Sequence, residues 1–269
     1  MAKPEERMAN LLLRFAAPLA GLRNVPILGD ALSWTSRRLV PADTLIWVQI
    51  QHGPAQGLWI RVNPRTGQNV ERGIGEPAVQ QAVTQHLHAG MTFYDLGANI
   101  GFFSLMAARL VGASGRVVSF EADPEIAARL RANLRYNDFS NAAVEEKAVW
   151  SEPTTVHFAR VDSNTSPDRG LGHVSATDSP AAANTISVEA VSLDQFVLTR
   201  PAPDFLKCDV EGAEVSVFQG AQRLLQEKRP ILLVEMHSTE NHRLLSDKFK
   251  QLGYACNNLD ENHVLALPQ

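Results

Sequence analysis

From residue 91 onward the chain alternates short apolar runs with stretches whose apolar residues recur every three or four positions. The runs at 92–95, 116–120, 143–149, 205–208 and 231–235 have the length and the aromatic or branched content of strands. Between and after them the helical period predicts helices over 102–111, 124–137, 215–226 and 240–252. Strands separated by helical lengths imply right-handed crossovers and a mostly parallel sheet, covered by helices on both faces. The ending differs. Residues 254–256 and 263–267 flank a polar turn at 257–262, which reads as a terminal hairpin that puts one antiparallel strand into the sheet. Residues 185–191 have strand character, and Ser192 with Gln195 offers a capping box for a short helix after them.

The first part of the chain reads differently. Residues 44–50 and 57–62 are β-formers around Gly53 and Pro54, a hairpin pattern. A helix is predicted over 76–87, with Val79, Val83 and Leu87 on one face and Gly90 as its stop. Upstream, the apolar stretch 8–22 is broken by Asn10, Arg14 and Pro18, short of the roughly 20 apolar residues a spanning helix needs. Glu5 and Glu6 stand where a secretory signal carries its basic segment. The stretch is expected to be an amphipathic helix packed on the main domain. The alternative is peripheral membrane contact, with Arg7, Arg14, Arg23, Arg37 and Arg38 against anionic lipid. Residues 163–184 lack periodicity and are rich in Ser, Asp, Gly, Ala and Pro, a long loop of the functional or disordered kind. The expected division is an N-terminal extension, 1–74, and a main domain, 75–269, with no internal repeat.

Composition narrows the function classes. Of 269 residues, 45% are hydrophobic and 20% charged, enough apolar surface to offset chain entropy. The formal net charge of −4 makes nucleic acid a poor partner, because phosphate binding needs concentrated positive charge. Two cysteines, Cys208 and Cys256, form no disulfide framework and suit a reducing, cytoplasmic setting.

The strongest local signal is Phe93-Tyr94-Asp95-Leu96-Gly97-Ala98-Asn99-Ile100-Gly101-Phe102, a strand, a glycine turn and a helix in the order of a nucleotide-type site. Gly97 and Gly101 would let the backbone approach a ligand, and Asn99 tolerates left-handed φ. Glu121, in Phe120-Glu121-Ala122-Asp123-Pro124, follows Gly101 at about the spacing of an acid that accepts ribose hydroxyls. A dinucleotide site needs Gly-x-Gly-x-x-Gly and bare amides for its pyrophosphate. Here the turn is Gly97-x-x-x-Gly101, preceded by Asp95, whose charge repels a pyrophosphate but attracts an ammonium. S-adenosylmethionine, with an amino group, a sulfonium and no phosphate, fits these acids better than NAD.

With these residues in view, the chain resembles the FkbM family of S-adenosylmethionine-dependent methyltransferases. The resemblance runs from about Gly75 to Glu235. It rests on Gly75-Glu76-Pro77, on 95–101, on 118–124, and above all on Phe205-Leu206-Lys207-Cys208-Asp209-Val210-Glu211-Gly212-Ala213-Glu214. It implies a Rossmann-like class I methyltransferase sheet of seven strands with the last one antiparallel. It also implies O-methylation of a hydroxyl on a sugar, polyketide or related small metabolite. By the same similarity Asp95, Gly97 and Asn99 would line the methionine end of the cofactor and Glu121 would hold the ribose. Glu76, Gly101 and Ala122 join the cofactor-binding positions, and Ala148, between Lys147 and Val149, would lie near the adenine.

Asp209, Glu211 and Glu214 follow a strand directly, at the edge where ligands bind in open α/β sheets, and alternation puts Lys207 on the side of Asp209. A Lys207–Asp209 pair, and a helix N-terminus under Glu211 and Glu214, would satisfy these charges structurally. The functional reading makes Asp209 the first candidate for general base or metal ligand. Lys207 stands beside it, and Glu235 and His237 come from the next strand end. Asp209, Glu235 and His237 are the candidate metal set, of a kind that suits Mg²⁺, although the need for a metal is left open. His242 and His263 read as surface histidines. Three rivals compete with a small-molecule O-methyltransferase: a nucleic-acid N-methyltransferase, a dehydrogenase and a non-catalytic cofactor-binding module. The first lacks an Asn/Asp-Pro-Pro-aromatic run after 205–208, and the second lacks the middle glycine.

Overall fold

A computed structural model describes residues 44–63, 70–160, 172–175 and 185–269. The expected helix at 8–22 and most of the 163–184 segment lie outside them. A β-hairpin, β1 (Ile46–Gln49) and β2 (Trp59–Val62), leads to α1 (Pro77–His86). The main run is then β3 (Thr92–Leu96), α2 (Phe102–Val111), β4 (Arg116–Phe120), α3 (Pro124–Tyr136) and β5 (Ala142–Glu145). After a smaller sheet come β10 (Phe205–Cys208), α5 (Glu214–Gln219), β11 (Ile231–Glu235), α6 (Thr239–Gln251), β12 (Tyr254–Asn258) and β13 (His263–Pro268). The smaller sheet holds β6 (Ala148–Val149), β7 (Thr154–Ala159), β8 (His173–Ser175) and β9 (Thr185–Val191), followed by the one-turn helix α4 (Leu193–Phe196).

The main sheet has seven strands in the order β12-β13-β11-β10-β3-β4-β5, with β13 antiparallel to both neighbours and every other pairing parallel. Alternation along each strand divides its side chains between two cores, as expected for a sheet buried on both faces. Phe93, Val117, Phe205 and Leu233 pack with α1, α2 and α3, and the hairpin residues Ile46 and Ile60 join that cluster. Tyr94, Val118, Leu206 and Val234 pack on the other face against Val217, Phe218, Leu245 and Phe249. The hairpin is further held by Asn133 of α3 and Asn137 at its C-terminal cap, whose side-chain amides bond the backbone of Trp59 and Arg61. After β3 the chain winds outward through β4 and β5, then returns to place β10 on the other side of β3. The strand order therefore reverses at β3, and a crevice opens at the carboxyl edge of the sheet beside that switch point.

Four expectations change. The 143–149 run is not one strand: β5 ends at Glu145, and after Glu146 and Lys147 the chain leaves for the smaller sheet as β6. The 215–226 helix is interrupted. The Gly220 carbonyl accepts from Asp194 N–H at 2.9 Å instead of continuing the helix, and a π-helical turn, Leu224–Lys228, follows. The Asp194 carboxylate accepts the Arg223 and Leu224 amides, anchoring that second segment. Ser192 does precede a short helix, but its hydroxyl makes no cap hydrogen bond. Within the expected loop, His173–Ser175 forms β8 against β7.

Candidate active site

A cavity of about 290 Å³ opens at this crevice, near the lower end of the range for small-molecule sites. Gly97 and Asn99 from the first turn, Glu121 and Ala122 after β4, and Ala148 of β6 form one side. Asp209 and Glu211 after β10, Glu235 of β11 and Glu76 before α1 form the other. Phe158 and Gly172 of the smaller sheet also contribute, and no local sequence motif marked them.

The glycine turn does more than clear a path for a ligand. Asn99 is left-handed at φ 50°, as its residue type allows. Gly97 has φ 75°, and a Cβ there would lie 1.8 Å from the Asp209 carbonyl oxygen, so the residue is bare because the β10 loop crosses it. Gly101 is outside the cavity lining. A Cβ there would meet Leu130 of α3 at 2.1 Å, so its bareness serves helix packing rather than ligand approach. Asp95 is also absent from the lining. It is fully buried, and its Oδ2 accepts from the Ser104 hydroxyl at 2.5 Å. Its Oδ1 is buried with no hydrogen bond among the described residues. Burial raises the Asp95 carboxyl above its usual range, against the pull of Lys207 and Ser104.

Glu121 is buried and accepts backbone N–H bonds from Asn99 at 2.8 Å and Asp123 at 2.9 Å. Burial pushes its pKa up to about 7 despite these bonds. Asp123 caps α3 by accepting the Glu125 amide and is clamped by the Arg160 guanidinium at 2.6 and 2.7 Å. Lys147, beside Ala148, pairs with Glu189.

On the opposite side, Lys207 Nζ lies 3.0 Å from Asp209 Oδ2 and 4.8 Å from the Phe103 ring centre. Burial alone would lower the Lys207 pKa, but Asp209, Asp95 and Glu76 outweigh it and keep the ammonium charged. Burial likewise opposes ionisation of Asp209, and Lys207, helped by His237 and a Glu235 hydrogen bond, outweighs it, so Asp209 is held below the usual carboxylate range. Glu214 is fully buried at the start of α5. It accepts from Gly212 N–H at 2.8 Å and Asn241 Nδ2 at 2.6 Å, and its Oε1 lies 2.7 Å from His237 Nδ1. Glu211, expected at the same helix start, precedes it in a left-handed conformation at φ 52°.

His237 Nε2 faces Glu211 at 3.3 Å and Asp209 and Glu235 at 3.8 Å each. The Glu214 hydrogen bond is the main reason its pKa rises to about 9, against burial and with help from the surrounding carboxylates. The three sequence candidates for a metal fall into two adjacent groups by ligand distance: Asp209 with Glu211 and His237, and Glu235 with Glu76 and His263. His263 is a correction. It is 7% exposed rather than at the surface, because hairpin pairing places it directly opposite Glu235.

A mostly parallel sheet with one antiparallel strand, an acid-rich cavity at its switch point and an acid after the second parallel strand define a class I methyltransferase fold. The family model described as the methyltransferase FkbM domain matches residues 95–256, and the chain belongs to that family. The hexuronic acid methyltransferase AglP of Haloferax volcanii is 26% identical over 210 residues, which cover 72% of this chain and 78% of AglP. Among solved structures, the methyltransferase FkbM of Methylobacillus flagellatus is similar at 18% identity and a TM-score of 0.48. That match covers 76% of this chain and 48% of the other, so the chain spans about half of that protein's length. A S-adenosylmethionine-dependent O-methyltransferase of Thermotoga maritima matches at 12% identity over 72% of this chain and 66% of its own, with a TM-score of 0.42.

Proposed function

We propose that this chain moves the methyl group of S-adenosylmethionine to a hydroxyl oxygen of a sugar or related small metabolite. The observation that carries the proposal is one cavity with Glu121 on one side and the Asp209–Glu211–Glu235 group, backed by His237, on the other. When bound, S-adenosylmethionine supplies an electrophilic methyl on a sulfonium. The acids that line the cavity complement its positive charges, whereas Asp95, expected at the methionine end, stands outside the lining. Glu121 would accept hydrogen bonds from the ribose hydroxyls, and Ala122 and Ala148 would cover the adenine. Family membership and the relation to a hexuronic acid methyltransferase support methyl transfer and a sugar-type acceptor.

An alcohol must lose its proton as its oxygen bonds to the methyl carbon. Asp209, held low by Lys207, is a weak base and serves better to orient the acceptor. His237 is the stronger candidate. Glu214 fixes its Nδ1 side, leaving Nε2 toward the cavity acids. At neutral pH His237 is protonated in the empty site, and a bound cation would lower its pKa toward the range where it accepts the acceptor's proton. Mg²⁺ has no part in this reading, because the Lys207 ammonium already neutralises Asp209. The test is incubation with methyl-labelled S-adenosylmethionine and a panel of neutral sugars and hexuronic acids. Label in a base-stable ether supports the reading. Label in a base-labile ester would move the reaction to a carboxylate, and saturable cofactor binding with no labelled product from any acceptor would favour a non-catalytic module.

A further inference from the structure

Beside the methyl-transfer groups lies a second constellation with its own geometry. β11 and β13 are antiparallel with Glu235 opposite His263, which sets the two side chains next to each other. His263 Nδ1 lies 2.8 and 3.0 Å from the carboxylate oxygens of Asp260 in the hairpin turn. Asp260 Oδ1 also accepts the backbone amides of Asn262 and His263, so the carboxylate is itself fixed. With Nδ1 held against Asp260, Nε2 points away from the turn. That nitrogen is buried and has no hydrogen bond among the described residues. Its neighbours are Glu235 Oε2 at 3.5 Å and Glu76 Oε2 at 3.7 Å. Glu76 reaches this position from a left-handed backbone (φ 46°) ahead of Pro77. A non-glycine residue in that conformation costs energy and persists where surrounding structure holds it.

We infer that Glu76, Glu235 and His263 form a binding site for a divalent transition-metal ion, with Zn²⁺ the ion their ligand set and spacing fit. A four-coordinate ion with bonds of ~2.1 Å separates its ligand atoms by about 3.4 Å, close to the two spacings at Nε2. One imidazole with two carboxylates is an ordinary zinc set, and a histidine ligand that donates its other ring N–H to a carboxylate is the usual supporting arrangement. Glu76 and Glu235 line the cavity whereas His263 does not, so the fourth position faces the cavity and would take water or an acceptor oxygen. The site holds whichever cofactor occupies the rest of the cavity.

The test is calorimetric titration of chelator-treated full-length protein with Zn²⁺, together with the visible spectrum after Co²⁺ loading. The expected result is one site per chain and the intense absorption of four-coordinate Co²⁺. Asp260→Asn should weaken Zn²⁺ binding by about 10- to 100-fold through the misplaced imidazole. Glu76→Gln, at a more exposed side chain, should weaken it without a fold defect, keeping the test valid if His263→Ala fails to fold. Absence of stoichiometric Zn²⁺ binding would overturn the inference. So would binding abolished by His237→Ala but unchanged in Glu76→Gln, which would place the ion in the neighbouring Asp209–Glu211–His237 group.

Discussion

Replacing Glu214 by Gln isolates the charge that governs His237. Gln keeps the size of the buried side chain and an oxygen toward Nδ1, so at His237 the change is electrostatic, while its amide nitrogen gives up the hydrogen bond from Asn241 Nδ2. In the wild type the 2.7 Å contact joins a fully buried carboxylate to the imidazole and is the foremost reason its pKa stands at about 9. A hydrogen bond to a charged group exceeds a neutral one by about 1–1.5 kcal/mol, and at about 1.36 kcal/mol per pKa unit that is a drop of about one unit. Loss of the through-space attraction adds to it, so the variant should titrate about one to two units lower. Histidine ring resonances, assigned with a His237→Gln variant, would follow the midpoint directly. The rising limb of turnover against pH should move down by the same amount. The sign for stability follows. His237 is raised above its ordinary 6.5, so its pairing stabilises the fold fully below that pH and the contribution fades as pH climbs through about 9. In Glu214→Gln this alkaline loss should shrink. An unchanged His237 midpoint would refute the reasoning, because the surrounding Asp209, Glu211 and Glu235 would then set the proton affinity without Glu214.

Other perturbations probe different parts of the site. Gly97→Ala forces a Cβ to within 1.8 Å of the Asp209 carbonyl at positive φ, and should cost about 2–5 kcal/mol in chemical denaturation from overpacking and left-handed strain together. Lys207→Met strands the buried carboxylate of Asp95 and the half-buried one of Asp209, and should destabilise by about 3–5 kcal/mol, again read from denaturation midpoints. Asp209→Asn should lower turnover by about 100-fold through lost acceptor alignment, while S-adenosylhomocysteine affinity measured by calorimetry stays near wild type.

The elements of the main sheet were legible because their signals are local. Apolar runs such as 116–120 and 231–235 end within a residue of the strands they predict, and the polar turn at 257–262 announces the antiparallel hairpin. The breaks were not legible where a distant group causes them. Nothing near Gly220 tells that Asp194 will claim its carbonyl, and nothing in 143–149 shows that its last two residues pair with β9. The site divides the same way. Motif positions such as Glu121, Asp209 and Asn99 could be named from their neighbours, and they do line one cavity. The bareness of Gly101 answers to Leu130 on another helix, which spacing cannot reveal. The sequence makes His263 look like a surface residue for a related reason. Its burial comes from strand register against Glu235, and only the length of the hairpin turn hinted at that register.

If the cavity takes S-adenosylmethionine, Glu121 is the side chain that meets the ribose. Calorimetric titration of the wild type and Glu121→Ala with S-adenosylmethionine and S-adenosylhomocysteine, with NAD as the control, tests it most directly. Saturable binding of the first two ligands alone is expected. Binding to the variant should be about 10- to 100-fold weaker, the scale of hydrogen bonds to a charged group. Equal affinity in the two proteins would contradict the ribose assignment, and no binding of either ligand to the folded wild type would contradict the cofactor itself.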